Sequence, residues 1–218
     1  MSTSSPPSAP HPARLGLFGG TFDPWHLGHE LVLQRVQACA LVDEILVVPA
    51  GRPPHKPVPT TPFAQRLAMV QAALAGRPQL QVLDIEDRLP PPSYTLHTVR
   101  LLRERCAPGT LVLILGADSF LDLHRWYGAA ELLTLVELLV LSRPPWSEAD
   151  LAQQERRLRE ITPPGEKMPP LHCVAGLLCA LSSSEVRRRL AAGDDPAGLV
   201  PPAVAAYIQR HRLYGMPR

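Results

Sequence analysis

The sequence predicts an α/β fold built on one doubly wound parallel sheet, with helices on both faces and a small C-terminal helical part. Short apolar runs alternate along the chain with segments of helical periodicity. The runs are continuously apolar, as strands buried on both faces must be. The first of them stops at Gly19-Gly20, and from His26 the period changes to that of a helix.

The elements follow in order. Arg14 to Gly20 reads as the first strand, and the helix after it should bury Val32, Val36, Cys39 and Ala40, spaced i, i+4, i+7, i+8. Glu44 to Val48, closed by Pro49, completes a βαβ unit. A loop from Gly51 to Pro59 carries His55, Lys56 and four prolines. Thr61 is the expected N-cap of the next helix, with Pro62 at its first position and Phe63, Leu67, Val70 and Leu74 as its buried stripe. Leu80 to Ile85 is the third strand, Thr95 to Arg105 a helix, and Leu111 to Leu115 a strand ending at Gly116. Val136 to Leu141 follows as the fifth strand, and the charged stretch Ser147 to Ile161 as a solvated helix. His172 to Val174 is the expected sixth strand, and Ser183 to Ala192 and Pro201 to His211 are the closing helices.

Composition narrows the class. The chain has 218 residues, 45% hydrophobic and 19% charged, enough for one folded domain with a sizeable core. Its formal charge is +2, with 22 basic against 20 acidic residues, so no nucleic-acid-binding surface is expected and any phosphate chemistry must be local. No stretch has the ~18 uninterrupted apolar residues of a membrane span. The four cysteines form no CxxC pair and are expected to be reduced core thiols, which favours a cytoplasmic protein. Residues 1–13, rich in Ser and Pro, should be a disordered tail.

In such sheets ligands bind beyond the carboxyl ends of the strands. After the first strand, adjacent glycines let main chain approach a ligand, and the helix start offers unpaired N–H groups and a positive dipole end: an anion site. His26 and His29 fall in one helical turn with Gly28 between them, so both rings lie on one side of that end and can donate to phosphate oxygens. Neither the Gly-x-Gly-x-x-Gly fingerprint nor the Gly-Lys-Ser/Thr of a P-loop stands at this turn, and a zinc site would need further ligands. Taken alone, Ser182-Ser183-Ser184 is an N-cap region and Arg187 a solvated side chain; together they would form a second anion cradle.

These segments carry a family resemblance. Gly19 to His29 is similar to the Gly-Gly-x-Phe-Asp-Pro-x-His-x-Gly-His motif of bacterial nicotinate-nucleotide adenylyltransferases, and Leu181 to Arg187 resembles the Ile-Ser-Ser-Thr-x-Ile-Arg signature of the wider nucleotidyltransferase superfamily. Pro53 to Lys56, Ser93-Tyr94-Thr95 with Thr98, Gly116-Ala117-Asp118, Trp126, Arg143-Pro144 and Tyr207-Ile208 occur in the family's order, so the resemblance spans 14–214. It departs at His97, which receives no role, and the insertion from Ser147 to Pro170 has no counterpart.

The resemblance implies a Rossmann-like fold and transfer of AMP from ATP to nicotinate mononucleotide, with release of pyrophosphate and with Mg²⁺ arriving on ATP. It implies that His26 and His29 stabilise the α-phosphate region while Lys56 and Arg187 neutralise outer phosphates. Gly19, Gly20, Thr21, Phe22, Asp23, Gly28, Gly116, Asp118 and Ser183 would complete the ATP site, and no protein metal site is expected. Tyr94, Thr95, Trp126, Tyr127, Arg143 and Lys56 would hold the mononucleotide, with Trp126 on the pyridine ring and main-chain N–H groups of Thr95 and Tyr127 on its carboxylate. A homo-oligomer is left open. The alternatives are phosphopantetheine adenylyltransferase, which carries Thr where His26 stands here, another nucleotidyltransferase of the superfamily, and a sensor that binds nucleotide without chemistry.

Overall fold

The apolar runs pair in parallel into a six-stranded sheet of order β3-β2-β1-β4-β5-β6, the doubly wound arrangement expected. The computed structural model describes residues 13–53, 61–106, 109–142, 146–174 and 181–215. The strands are β1 (Arg14–Gly20), β2 (Glu44–Pro49), β3 (Leu80–Val82), β4 (Thr110–Gly116), β5 (Glu137–Leu141) and β6 (Leu171–Val174). The helices are α1 (Leu27–Ala38), α2 (Phe63–Leu74), α3 (Ile85–Arg88), α4 (Thr95–Cys106), α5 (Ala117–Asp122), α6 (Ala129–Leu135), α7 (Glu148–Ile161), α8 (Ser183–Ala191) and α9 (Pro202–His211). Of the expected tail, all but Ala13 lies outside the described residues.

Because strand side chains alternate, the sheet feeds two cores. Phe18, Ile45, Val47, Val112, Ile114, Leu139 and Leu141 pack on one face beneath α1, α2, α8 and α9. Leu17, Leu46, Val48, Leu113, Leu115, Leu138 and Val140 pack on the other beneath α4 to α7. At ~1.5–3 kcal/mol per buried aliphatic side chain, this two-sided burial is the main term holding the layers together. At the amino ends of the strands Arg14 Nη2 donates to Glu137 Oε2 at 2.5 Å, and His172 Nε2 meets the same oxygen at 3.2 Å, so one carboxylate joins β1, β5 and β6. Burial alone would raise the Glu137 pKa, but the bonds from Arg14 and His172 outweigh it and hold the carboxyl below its ordinary range.

Several local expectations are corrected. α1 buries Leu33 and Val36, whereas Val32 and Cys39 are half-buried and Ala40 is exposed, so its stripe is turned by one position. The stripe of α2 is Arg66, Met69, Val70 and Leu74. There Phe63 and Leu67 give way because the Arg66 guanidinium finds buried carbonyls to bond. Thr61 does not cap α2; its hydroxyl bonds Tyr214 instead. β3 ends at Val82, since Asp84 turns the chain into α3, whose Glu86 is buried. α7 is amphipathic, not merely solvated: Ser147 and Asp150 form a capping box at its start, and Leu151, Gln154 and Leu158 are buried. Cys39 and Cys106 are half-buried thiols packed against the edges of the two cores, whereas Cys173 is exposed and not a core residue; Cys179 lies outside the described residues.

Candidate active site

The order of strands reverses between β1 and β4, so their carboxyl ends part and leave a crevice. On the β1 side the chain leaves the sheet through Gly19 and Gly20. A Cβ on Gly20 would stand 2.6 Å from the Phe22 ring, which explains the glycine. Phe22 sits at φ 51°, a left-handed conformation, and buries its ring among Trp25 at 4.9 Å and Phe18 at 5.5 Å. The apolar side chain thus anchors a loop whose main chain turns outward.

His26 is the N-cap of α1, and the two histidines form its capping box. The Gly28 N–H donates to His26 Nδ1 at 3.1 Å, and the His26 N–H donates to His29 Nδ1 at 3.2 Å. Both Nδ1 atoms act as acceptors, so in each neutral ring the proton sits on Nε2. The rings stack with centroids 3.7 Å apart, and the edge of Phe22 meets His29 at 4.9 Å. Helix capping and ring packing therefore fix both imidazoles at a helix start.

The second cradle meets the first directly. Ser182 caps α8, Ser183 Oγ donates to the Pro24 carbonyl at 3.3 Å, and Arg187 Nη1 donates to the Asp23 carbonyl at 2.7 Å. Segments 164 residues apart share one site, as expected of a paired signature. Asp23, one of the residues expected at the ATP site, is buried, and its Oδ1 accepts from the Tyr214 hydroxyl at 2.8 Å. Burial raises the Tyr214 pKa far above its ordinary range, so that hydroxyl keeps its proton and donates.

The crevice opens into a cavity of about 530 Å³, within the ~300–1,000 Å³ usual for small-molecule sites. Gly19, Gly20 and Thr21 form one wall, and Asp118 another. Tyr94, Thr95, Trp126 and Tyr127 form the far side, where Tyr94 stacks on Tyr127 with centroids 4.4 Å apart. Gly116 caps α5, and a Cβ there would lie 2.7 Å from Asp118 Oδ1. His97 meets Tyr94 and Tyr127 edge-on at 5.7 and 5.6 Å. Lys56 and Arg143 lie outside the described residues.

A cytidylyltransferase-like family model matches residues 17–189. A probable nicotinate-nucleotide adenylyltransferase of Pelobacter propionicus is 36% identical over 92% of this chain and 98% of its own. Another, from Pseudomonas fluorescens, is 39% identical over 94% and 98%. This chain belongs to the nicotinate-nucleotide adenylyltransferase family. The fold agrees with that of a Plasmodium falciparum nicotinic acid mononucleotide adenylyltransferase complexed with NaAD: TM-score 0.76 at 20% identity, covering 94% of this chain and 98% of that one.

Two buried ionic side chains of this family member escape sequence reasoning. Arg66 donates from Nη1 to the Thr21 carbonyl at 2.6 Å, from Nη2 to Gly51 at 3.2 Å and from Nε to Thr61 at 3.2 Å. Burial lowers its pKa from the ordinary arginine value, and nearby Asp23 acts against that. Glu86 accepts from Thr98 Oγ1 at 2.7 Å and also bonds Ser93 and the Gly51 main chain. Its burial raises its pKa against those bonds. An arginine within the apolar stripe of α2 is the one sequence feature that could have pointed to this pair. Among the described residues no group of three or more His, Cys, Asp and Glu is placed to hold a metal ion, and no helix is long and apolar enough to cross a membrane.

Proposed function

We propose that the protein transfers the adenylyl group of ATP, bound as its magnesium complex, to the 5′-phosphate of nicotinate mononucleotide. The observation that carries this reading is the convergence of the His26–His29 helix start with Ser183 and Arg187 beside a cavity walled by Tyr94, Trp126 and Tyr127. A phosphate oxygen of the acceptor bonds the α-phosphorus, the bond from that phosphorus to the bridging oxygen breaks, and pyrophosphate leaves with the electron pair. The acceptor phosphate is already largely ionised near neutral pH, its second pKa being about 6, so no base has to abstract a proton.

What the protein supplies is position and charge. The Nε2–H groups of His26 and His29 donate to the α-phosphate region as charge moves toward the leaving group. Lys56 and Arg187 neutralise the outer phosphates, and main chain from Gly19 to Phe22, with Gly116 and Asp118, surrounds the nucleoside. Magnesium, carried on the phosphates, neutralises them further. Trp126 takes the pyridine ring on its face, main-chain N–H groups of Thr95 and Tyr127 bind the carboxylate, and Arg143 binds the mononucleotide phosphate. The reaction belongs in the cytoplasm.

The test is incubation with ATP and Mg²⁺ plus, separately, nicotinate mononucleotide, nicotinamide mononucleotide or phosphopantetheine, following pyrophosphate and the adenylylated product. The expected result is fastest turnover with nicotinate mononucleotide. Preference for phosphopantetheine would transfer the chain to the other enzyme, and ATP binding without turnover would make it a sensor.

A further inference from the structure

Gly51, the first residue of the loop after β2's end at Pro49 and Ala50, is held at both its main-chain polar groups by ionic side chains. Its carbonyl accepts from Arg66, and its main chain bonds Glu86. The fit is close: a Cβ on Gly51 would lie 2.5 Å from the Glu86 carbonyl oxygen. Each ionic group also reaches one half of the cavity. Arg66 binds the carbonyl of Thr21, in the loop between the glycines and the histidines. Glu86 binds Thr98 and Ser93, which flank Tyr94 and Thr95. The neighbouring peptide adds two more bonds, Arg52 N–H to Ser93 Oγ at 2.8 Å and Ser93 N–H to the Arg52 carbonyl at 2.9 Å.

Stability alone is a weak reason for this arrangement. Taking an arginine and a glutamate out of water costs several kcal/mol per ion, and well-packed apolar residues of similar volume are often as stable. What an ionic pair supplies here is directional attachment: three carbonyls from three separate segments are fixed to one guanidinium, and three donors to one carboxylate. A shift of Thr21 would in this arrangement be felt at Gly51 through Arg66, and at the segment carrying Tyr94 and Thr95 through Glu86.

We infer that Arg66 and Glu86, joined through Gly51, are positioning residues that couple the nucleotide loop to the acceptor pocket, so that filling either half-site tightens the other. This rests on the assignment of the two half-sites made above. The coupling is reciprocal by thermodynamic necessity.

The experiment measures the dissociation constant of nicotinate mononucleotide by calorimetry, with and without a saturating non-hydrolysable ATP analogue, in the wild type, Glu86→Gln and Arg66→Lys. The wild type should bind about tenfold more tightly with the analogue present, within the usual range of such couplings. In both variants the ratio should fall to within about twofold of unity. Glu86→Gln keeps the size and one acceptor oxygen, so it carries the test if Arg66→Lys does not fold. A second measurement follows amide hydrogen exchange at Tyr94 and Thr95 with the analogue alone: slowed in the wild type, unchanged in Glu86→Gln. A purely structural role would lower Tm in the variants and leave the affinity ratio and the exchange response intact. That result, or a wild type without coupling, overturns the inference. If the protein binds no pyridine mononucleotide, the functional assignment fails, and the exchange response still judges the link between the two segments.

Discussion

His26 caps its helix with one ring nitrogen and is assigned to the phosphate with the other, and the two can be separated. Nδ1 caps α1 by accepting from Gly28 at 3.1 Å, while Nε2–H is the group assigned to the phosphate. In asparagine Oδ1 stands where Nδ1 stands, bonded to the same carbon, and nothing stands where Nε2 does. Asparagine is also among the best N-cap residues. His26→Asn should therefore keep the cap and lose the donor; His26→Ala loses both. Loss of the cap costs about 1 kcal/mol, which in a chain of this size lowers Tm by ~2–4 °C. Loss of one charge-stabilising donor costs about 100- to 1,000-fold in turnover, or ~2.7–4 kcal/mol. Pyrophosphate release and scanning calorimetry on both variants should show kcat falling by that factor in each, with Tm falling only in His26→Ala. Near-normal turnover in His26→Asn would refute the catalytic assignment, and equal loss of Tm in the two variants would refute the capping assignment.

The same donor logic predicts that His29→Ala retains the fold and loses about 100- to 1,000-fold in turnover, measured in the same assay. Tyr214→Phe removes the donor to the buried Asp23 carboxylate. A bond to a charged group is worth ~1.5–3 kcal/mol, so calorimetry should show a fall in Tm of about 3–12 °C. Glu137→Gln tests the pH dependence. Because the folded pKa is lowered, the contribution of Glu137 is present above its ordinary value of 4.5 and is lost as pH falls through the folded value. The variant should melt ~2–4 °C below the wild type at pH 7, for ~1 kcal/mol of ion pairing, with the gap closing as pH falls through the lowered folded value. Gly51→Ala places a methyl group against the Glu86 carbonyl. Overpacking of this kind costs ~1–3 kcal/mol, and both Tm and the affinity for the mononucleotide should fall.

The central strands were legible because burial on both faces writes itself as an unbroken apolar run: Leu111 to Leu115 needs no partner to be recognised. The histidine pair was legible for a similar reason, since its spacing is local. α5 and α6 were not, because at six and seven residues each shows hardly two turns of periodicity, and Gly128 breaks the chain between them at φ 63°. Arg66 is not legible because its partners are carbonyls of Thr21, Gly51 and Thr61, and a sequence does not record where carbonyls point. Tyr214 escaped because its partner is 191 positions away and its role depends on a left-handed turn at φ 61°.

That separation also sets a timetable. The glycine and histidine loop is synthesised well before its fasteners: the guanidinium that binds the Asp23 carbonyl belongs to Arg187, and the hydroxyl that binds its carboxylate to Tyr214. At about 5–20 residues per second, roughly 10–40 s pass between synthesis of the loop and arrival of its last fastener. Through that interval a nascent chain carries both histidines while Asp23 lacks the partners that Arg187 and Tyr214 supply.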